Sequence, residues 1–270
     1  MRQLEDILAI GPITRYWPSN PELRLDPLVT HNPPSEANDA VAMHDKIASS
    51  FDQSYQRSGA FKERYDKLGK IIRSVVKPGD AVLDAGCGAG QFSFMAADLG
   101  ADVTAIDGSQ AMIDICKQRQ TPAYSKTTQF EVAMLQSLEN WPGNEFDVII
   151  SSSVLEYVPN LDAILANFSR ILKPNGVLIA SLPNAQSRYR KWERRIFNLT
   201  GRPRYFGHVQ HMSTPNDMTR DLNRHAITVN DACYFGDPPL FFPGWTFLRE
   251  TEIKTLFAVV GRKLAYTKVR

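Results

Sequence analysis

A glycine-rich segment directly after a short apolar run could bind a ligand through its backbone. The run Ala81-Val82-Leu83 leads into Asp84-Ala85-Gly86-Cys87-Gly88-Ala89-Gly90. Glycines at alternate positions let the chain turn sharply and let its backbone approach a ligand closely. The dinucleotide fingerprint requires Gly or Ala at position 91, where this sequence has Gln91, and the phosphate-loop signature with its Gly-Lys pair is absent from the sequence. The segment therefore predicts a ligand-binding turn outside these two classes.

A single acid at the end of the next apolar run could supply the second part of the site. The run over 102–106 ends at Asp107, one strand–helix–strand unit after the glycines. A carboxylate at that point can accept hydrogen bonds from both hydroxyls of a ribose. Its alternative role is to cap the following helix, which Ser109 could do instead. Together, the glycine turn and Asp107 indicate an adenosine-type cofactor.

Strand and helix patterns alternate along the chain and would position these residues. Apolar residues at helical spacing predict helices over 61–76 and 161–172, and shorter helices should begin at Gln91 and Ser109. Apolar runs predict strands at 81–83, 102–106, 130–133, 146–151, 177–182, 227–235 and 256–260. Regular alternation implies a parallel sheet covered on both faces. The predicted fold class is α/β, with a Rossmann-like, doubly wound, seven-stranded and mostly parallel sheet and helices on both faces.

Composition divides the chain into an N-terminal extension and one larger domain. Residues 1–45 form the extension, since its sequence is rich in proline and polar side chains, which do not build a regular element. Residues 46–270 form the domain, with an insertion at about 185–225 between the fifth and sixth strands. We expect the extension to be partly disordered or wrapped on the domain, and the insertion to form a lid over the substrate.

Charge and cysteine content disfavour several classes of protein. With 31 basic and 29 acidic residues, the chain has no dominant attraction for nucleic acid. Its three cysteines form no CxxC pair, which disfavours a disulfide framework or a zinc site and favours a reducing cytoplasm. Glu5 and Asp6 stand where an export signal needs a basic and then an apolar stretch, and no apolar run reaches about 18 residues. We therefore expect a cytoplasmic protein with no nucleic-acid partner and no metal site.

Four segments of the sequence occur in an order that is typical of one enzyme family. They are Val82–Gly90, Val103–Ser109, Phe146–Ile150 with Val154–Val158, and Leu172–Leu178. Their sequence and order resemble those of class I S-adenosylmethionine-dependent methyltransferases. The resemblance covers roughly 45–265 and is greatest for the small-molecule branch that includes the ubiquinone and menaquinone biosynthesis methyltransferases. It implies S-adenosylmethionine as cofactor and a small molecule as methyl acceptor.

The resemblance also implies which residues would bind the methionine end of the cofactor. Gly86, Gly88 and Gly90 would frame the methionine part, and Asp84 would orient its amino group directly or through water. Ser151, at the end of the fourth strand, would lie under the sulfonium end. These residues would therefore surround the reactive half of the cofactor.

A second set of residues would bind the adenosine end. Asp107 would bind the ribose, with Gly108 and Met112 near the adenosine. Met134 and Leu135 would hold the adenine by backbone contacts and apolar packing. The resemblance thus assigns five residues to this half of the cofactor.

The sequence offers few candidates for a general base. Methyl transfer needs such a base only when the acceptor must lose a proton early. His208 and His211 lie three positions apart in the insertion, where relatives often place histidines over the acceptor. Structural packing in the lid is the alternative role for the pair. Tyr157 stands where the family often has His, which places any base role at that position in doubt. The His-x-x-His spacing has no evident third ligand for a metal.

The segment 186–204 carries an excess of basic residues with interleaved aromatic side chains. Its only acid is Glu193, and its seven cations are Arg188, Arg190, Lys191, Arg194, Arg195, Arg202 and Arg204. A solvated helix face is the ordinary interpretation of such a segment. The alternative is a lid that contacts an anionic membrane surface weakly or that meets an acidic substrate.

The sequence leaves the identity of the methyl-accepting atom open. Asp237-Pro238-Pro239-Leu240 is similar to a motif of nitrogen methyltransferases, but that motif belongs after the fourth strand, where this chain has Ser151-Ser152-Ser153. This argues against a DNA-base methylase. The leading hypothesis is transfer to a hydroxyl oxygen. N- or C-methylation of a small metabolite, and a protein that binds the cofactor without catalysis, stay open.

Overall fold

The protein is described from a computed structural model that covers residues 40–45, 48, 59–238 and 247–265. Most of the predicted N-terminal extension therefore lies outside the described residues. Within them, residues 40–45 and 48 are helical. The other described segments form one sheet with helices on both of its faces.

Seven strands make up the sheet. They are β1 (Ala81–Ala85), β2 (Asp102–Asp107), β3 (Thr128–Val132), β4 (Phe146–Ser152), β5 (Leu172–Pro183), β6 (Ile227–Phe235) and β7 (Leu256–Lys263). Their order across the sheet is β3-β2-β1-β4-β5-β7-β6. Strand β7 runs antiparallel to both of its neighbours, and the other pairs are parallel. The predicted seven-stranded and mostly parallel sheet is confirmed.

Seven further α-helices, all after residue 58, connect and cover the strands. They are α1 (Gly59–Val75), α2 (Gln91–Asp98), α3 (Gln110–Arg119), α4 (Leu161–Ile171), α5 (Arg188–Thr200), α6 (Pro215–Arg224) and α7 (Glu250–Ile253) among the described residues. Short 3-10 helices lie at Tyr124–Lys126, Leu135–Asn140, Leu155–Tyr157 and Arg204–His208. None of the described helices is both long and apolar enough to cross a membrane.

The central strands are buried on both faces, so their sequence is continuously apolar rather than alternating. Val82 packs into the core beneath α1, α2 and α3, whereas its neighbour Leu83 packs into the core beneath α4 and α6. Both side chains are fully buried. The sheet is therefore a rigid layer, and the turns at the carboxyl ends of its strands are held from both sides.

Strand β5 begins earlier than the sequence indicates. Helix α4 ends at Ile171, close to the predicted end, but the strand begins at Leu172 rather than at Val177. Leu172 pairs with Phe146, and the register then shifts before Val177 pairs with Val148. Asn175 takes a φ of 64° in this irregular stretch. The Pro-Asn-Gly sequence thus lies in the strand, where it accompanies a bulge.

The predicted insertion at 185–225 contains two kinds of structure. Helix α5 and the 3-10 helix Arg204–His208 lie beyond the end of β5. Helix α6 instead packs against β6 and β7, with Met218 and Leu222 completely buried. The second half of the range is therefore part of the helical layer that covers the sheet.

Candidate functional site

The glycine turn after β1 has the backbone conformation that requires glycine. Gly86, Gly88 and Gly90 have φ values of 83°, 53° and 81°. The amides of Gly86 and Cys87 donate to the carbonyl of Ile106 at 2.8 and 2.9 Å, which ties the turn to the end of β2. A Cβ added to Gly86 would lie 2.7 Å from the side chain of Val154. The turn therefore leaves no space for a side chain at its first glycine.

Asp107 connects the turn to the start of α3. Its Oδ2 accepts a hydrogen bond from Gly88 N at 2.9 Å, and its Oδ1 accepts one from Ser109 N at 2.9 Å. The helix cap is Ser109, whose Oγ accepts from Met112 N at 3.2 Å. Removal from water raises the pKa of Asp107, and the two backbone donors oppose that shift. Since a carboxylate offers about four acceptor positions, two are left for a ligand.

Asp84 lies beneath the turn and is 1% exposed. Its Oδ2 accepts a hydrogen bond from Ser93 Oγ of α2 at 2.6 Å. Burial raises the pKa of Asp84 to about 7, although the Ser93 hydrogen bond lowers it in part. The carboxyl group is thus oriented by α2 and poised between its charged and neutral forms.

Apolar side chains crowd around Gly108. A Cβ at Gly108 would lie 2.7 Å from Met134 Sδ and 2.8 Å from Val41 Cγ2. Met112 is buried on α3, and Leu135 is buried at the start of the 3-10 helix Leu135–Asn140. The residues predicted to bind an adenosine end therefore lie at the carboxyl ends of β2 and β3, as the sequence indicates.

The described N-terminal helical residues pack onto this part of the site. Asp45 Oδ1 accepts hydrogen bonds from Ser109 Oγ at 2.5 Å and from Ala111 N at 3.2 Å. The His44 ring lies 5.3 Å from the ring of Tyr157, edge to face. Ala48 packs with Ala89 and Met112. Sequence reasoning missed His44 and Asp45, and their signal was the spacing of Val41, His44 and Ala48 on one helical face.

Two buried serine hydroxyls lie at the end of β4. The Oγ atoms of Ser151 and Ser153 are buried and have no hydrogen-bond partner among the described residues. Strand β4 lies beside β1, with Asp84 paired to Ile150, so Ser151 stands next to the glycine turn. Buried polar atoms are normally paired. These hydroxyls are therefore consistent with a polar ligand at this edge of the sheet.

Glu156 and Tyr157 follow in the 3-10 helix after β4. Glu156 is 4% exposed, and burial raises its pKa to about 7, while the charges of Arg64 and Arg190 lower it in part. Its Oε2 has no hydrogen-bond partner among the described residues. Burial also raises the pKa of the Tyr157 phenol well above its usual range. At neutral pH the Tyr157 phenol therefore keeps its proton and can donate a hydrogen bond.

His211 is fixed by backbone contacts on two sides. Its amide and that of Gln210 donate to the carbonyl of Glu156 at 3.2 and 2.8 Å. Its Nε2 lies 2.8 Å from the carbonyl of Val158, so Nε2 carries the proton and donates it. In the neutral ring, Nδ1 is then the proton acceptor. Helix α6 begins at Pro215 with Thr214 as its cap, a few residues after this histidine.

His208 occupies a different setting from His211. It is the last residue of the 3-10 helix Arg204–His208 and is half-buried. His211, by contrast, contacts the segment after β4 through Val158. A cavity of about 260 Å³ opens beside His211, lined by Ala185, Arg190, Lys191, Arg194, Gln210, His211 and Met212.

More than half of the chain matches a known family of protein domains. Residues 76–230, more than half of the chain, match the family described as the methyltransferase domain. The chain belongs to this methyltransferase family. S-adenosylmethionine is the cofactor that the family uses. The predicted family, fold class and cofactor are confirmed.

Two curated relatives of this methyltransferase are O-methyltransferases. The chain is 33% identical over 154 residues, 54% of its length, to a malonyl-[acyl-carrier protein] O-methyltransferase of Serratia marcescens and covers 56% of that protein. It is 29% identical over 144 residues, 52% of its length, to a ubiquinone biosynthesis O-methyltransferase of Dechloromonas aromatica and covers 62% of that protein. The chain thus spans about three fifths of the length of these relatives.

A solved methyltransferase structure shares the fold. The 1,6-didemethyltoxoflavin-N1-methyltransferase of Burkholderia thailandensis, which has S-adenosylhomocysteine bound, superposes with a TM-score of 0.58 at 15% identity. The similarity covers 87% of this chain and 93% of that chain. This likeness supports the assignment of the fold and does not identify a methyl acceptor.

The residues of this methyltransferase fit S-adenosylmethionine. The backbone turn at Gly86–Gly90 has no room for side chains at its first glycine, and the Asp107 carboxylate has acceptor capacity left for hydroxyls. The unpartnered Ser151 and Ser153 hydroxyls lie next to that turn. Among the described residues, no group of three His, Cys, Asp or Glu side chains could hold a metal ion.

Proposed function

We propose that this methyltransferase transfers the methyl group of S-adenosylmethionine to a hydroxyl oxygen of a small-molecule acceptor. The observation that carries the proposal is the fixed His211 ring, whose Nε2 donates to Val158 O at 2.8 Å and whose Nδ1 is free to accept a proton in the neutral ring. The two relatives described above, which are O-methyltransferases, support the oxygen acceptor.

For the cofactor, we propose the residue roles implied by the sequence. Asp107 binds the ribose hydroxyls, because its two remaining acceptor positions suit a pair of donors. The glycine turn frames the methionine part, and the carboxyl group of Asp84 orients its amino group. Ser151 lies under the sulfonium end, where its buried hydroxyl gains a partner.

A third set of residues completes the proposed cofactor site. Gly108 and Met112 lie along the adenosine, and Met134 and Leu135 pack against the adenine. The support is that Leu135 and Met112 are 5% and 1% exposed, and that no Cβ could be added at Gly108 without meeting Met134.

When bound, S-adenosylmethionine supplies a methyl group activated by a positively charged sulfur. The chain then needs to align the acceptor oxygen and to exclude water. For a hydroxyl acceptor, His211 Nδ1 takes the proton, since the ring is held by Val158 and the backbone by Glu156. The neutral Tyr157 phenol can donate a hydrogen bond but does not remove a proton. His208 is the second candidate base and has a lesser role in this proposal.

The test is a screen of metabolite pools with S-adenosylmethionine that carries a labelled methyl group. Mass detection of the product should show a labelled O-methyl ether or ester of a small molecule. A labelled amine product would favour N-methylation, and a labelled carbon–methyl bond would favour C-methylation. Tight cofactor binding without a product from any pool would favour the non-catalytic alternative.

Two further expectations stay predictions. The three cysteines are free thiols, which supports a reducing compartment such as the cytoplasm.

Weak contact of 186–204 with an anionic membrane would use the exposed cations of α5, and co-sedimentation with anionic vesicles at low salt tests it.

A further inference from the structure

The cations of α5 divide into two groups with different electrostatic environments. Arg190 points into the fold, where its side chain is 16% exposed. Its Nη1 donates to Glu193 Oε2 at 2.8 Å and to Tyr205 Oη at 2.8 Å, and Tyr205 also bonds to Glu193. Glu193 is the only acid in the segment and is buried in this contact. The charge of Arg190 is thus compensated within the protein.

Lys191 and Arg194 belong to the second group. Both are exposed, and within the described part of the chain neither forms an ion pair with a carboxylate. The guanidinium of Arg194 is positioned by uncharged groups, with Nη2 3.4 Å from Met212 Sδ and Cζ 5.7 Å from the centre of the Phe206 ring. These contacts orient the side chain and leave its charge uncompensated.

Both uncompensated cations line the cavity of about 260 Å³ that also contains His211. Its lining residues include no acid, so the cavity has a positive potential. The planar guanidinium of an arginine binds carboxylate and phosphate oxygens through two parallel hydrogen bonds. The cavity therefore combines a proton acceptor with donors suited to an anion.

We infer that this cavity binds an anionic group of the methyl acceptor, a carboxylate or a phosphate, through Arg194 and Lys191. The inference rests on the proposed function, because it identifies the cavity beside His211 with the acceptor site. Arg194 and Lys191 then determine specificity: they select an acceptor that carries its negative charge next to the hydroxyl that reacts. Neutral acceptors of the same shape bind more weakly.

A neighbouring groove on α5 contains the arginine that serves as the matched control. It has a volume of about 350 Å³ and is lined by Arg188, Lys191, Trp192, Arg195 and Glu252. It contains a carboxylate, since Arg188 Nη2 pairs with Glu252 Oε1 at 3.1 Å. Arg195 is exposed, like Arg194, but does not line the cavity beside His211. An Arg195→Gln variant removes the same charge from the same helix without changing the proposed site.

The experiment measures binding of inorganic phosphate to the full chain saturated with S-adenosylhomocysteine, by calorimetry and by the NMR signal of the His211 ring. We expect saturable binding with a Kd of about 1–10 mM and a shift of the His211 signal. Arg194→Gln should weaken phosphate binding by about fivefold or more, and Lys191→Gln by about two- to threefold. Arg195→Gln should stay within about twofold of the wild type. Parallel measurements with phosphatidylglycerol vesicles separate a lipid headgroup from a free anion.

Three results would overturn the inference. They are no saturable phosphate binding, equal weakening of phosphate binding by Arg194→Gln and Arg195→Gln, and vesicle binding that Arg194→Gln abolishes but Arg195→Gln leaves unchanged. The last result would assign the cations to a lipid surface. Failure of the chain to bind S-adenosylhomocysteine would instead contradict the proposed function, so the two failures are distinguishable.

Discussion

Asp107 Oδ2 accepts a hydrogen bond from Gly88 N at 2.9 Å, and this contact joins the ends of β1 and β2. Because the second oxygen of Asp107 accepts from Ser109 N, one carboxylate orders both the glycine turn and the start of α3. The residue proposed to bind the ribose also holds the backbone that would frame the methionine part. Cofactor affinity should therefore depend strongly on this single side chain.

We expect Asp107→Ala to weaken binding of S-adenosylhomocysteine with the fold retained. Loss of charge-assisted hydrogen bonds should cost roughly 1.5–3 kcal/mol, or about 10- to 150-fold in Kd. Calorimetry measures the Kd, and circular dichroism checks the fold. Asp102→Ala, at the exposed start of the same strand, is the control and should bind like the wild type. An unchanged Kd for Asp107→Ala would show that the carboxylate accepts hydrogen bonds from the backbone but not from the cofactor.

We expect Gly86→Ala to disrupt both stability and cofactor binding. The added Cβ would be strained at a φ of 83° and would lie 2.7 Å from Val154. Backbone strain of about 1–2 kcal/mol and overpacking of about 1–3 kcal/mol should both appear in urea unfolding. Gly79→Ala is the matched control, since its φ is 82° and its Cβ would have nothing within 4 Å.

The control should lose only the strain energy and should bind S-adenosylhomocysteine normally. Gly86→Ala should bind it at least about tenfold more weakly, because the turn must move to relieve the contact. Equal cofactor affinity in both variants would show that the glycine turn is not part of the cofactor site.

We expect His211→Ala to lower turnover by about 10²- to 10⁴-fold without changing cofactor affinity, the usual contribution of a general base. His208→Ala should have a milder effect. His225→Ala is a further control, since that ring is paired with Asp162 Oδ1 at 2.9 Å on another part of the surface. Turnover is measured with the acceptor found by the labelled-methyl screen.

If both histidine variants keep the wild-type rate, the pair is structural, and an amine acceptor becomes the better hypothesis.

We expect Glu156→Gln to stabilise the protein at alkaline pH and not at acidic pH. Burial raises the pKa of Glu156 from 4.5 to about 7, so the folded protein binds its proton more tightly than the unfolded chain. The native state therefore loses stability as pH rises from about 4.5 to about 7, and it stays at the lower value above that range. Replacing the carboxyl by an amide should remove a penalty of roughly 1–3 kcal/mol.

Urea unfolding at about pH 5 and about pH 8 measures this effect. The stability difference between Glu156→Gln and the wild type should be larger at the higher pH. Glu145→Gln, at an exposed position before β4, should show no such dependence. A difference for Glu156→Gln that is independent of pH would mean that the carboxyl does not titrate in this range.

The local elements of this methyltransferase follow from its sequence. Apolar runs and helical spacing predict the strands and the main helices, because an element that is buried on one or two faces carries apolar residues in a regular pattern along the sequence. The glycine turn and the position of Asp107 follow in the same way, from the length of one strand–helix–strand unit. Family membership follows from the order of these segments.

Contacts between distant residues were decided only by the tertiary structure. The charge of Arg190 is compensated by Glu193, whereas Arg194, four positions along the same helix, has no such partner among the described residues. Asp45 reaches Ser109, and His211 reaches Val158, across 64 and 53 positions. Such pairings leave no period in the sequence, because they depend on how separate elements pack and on which groups this packing removes from water.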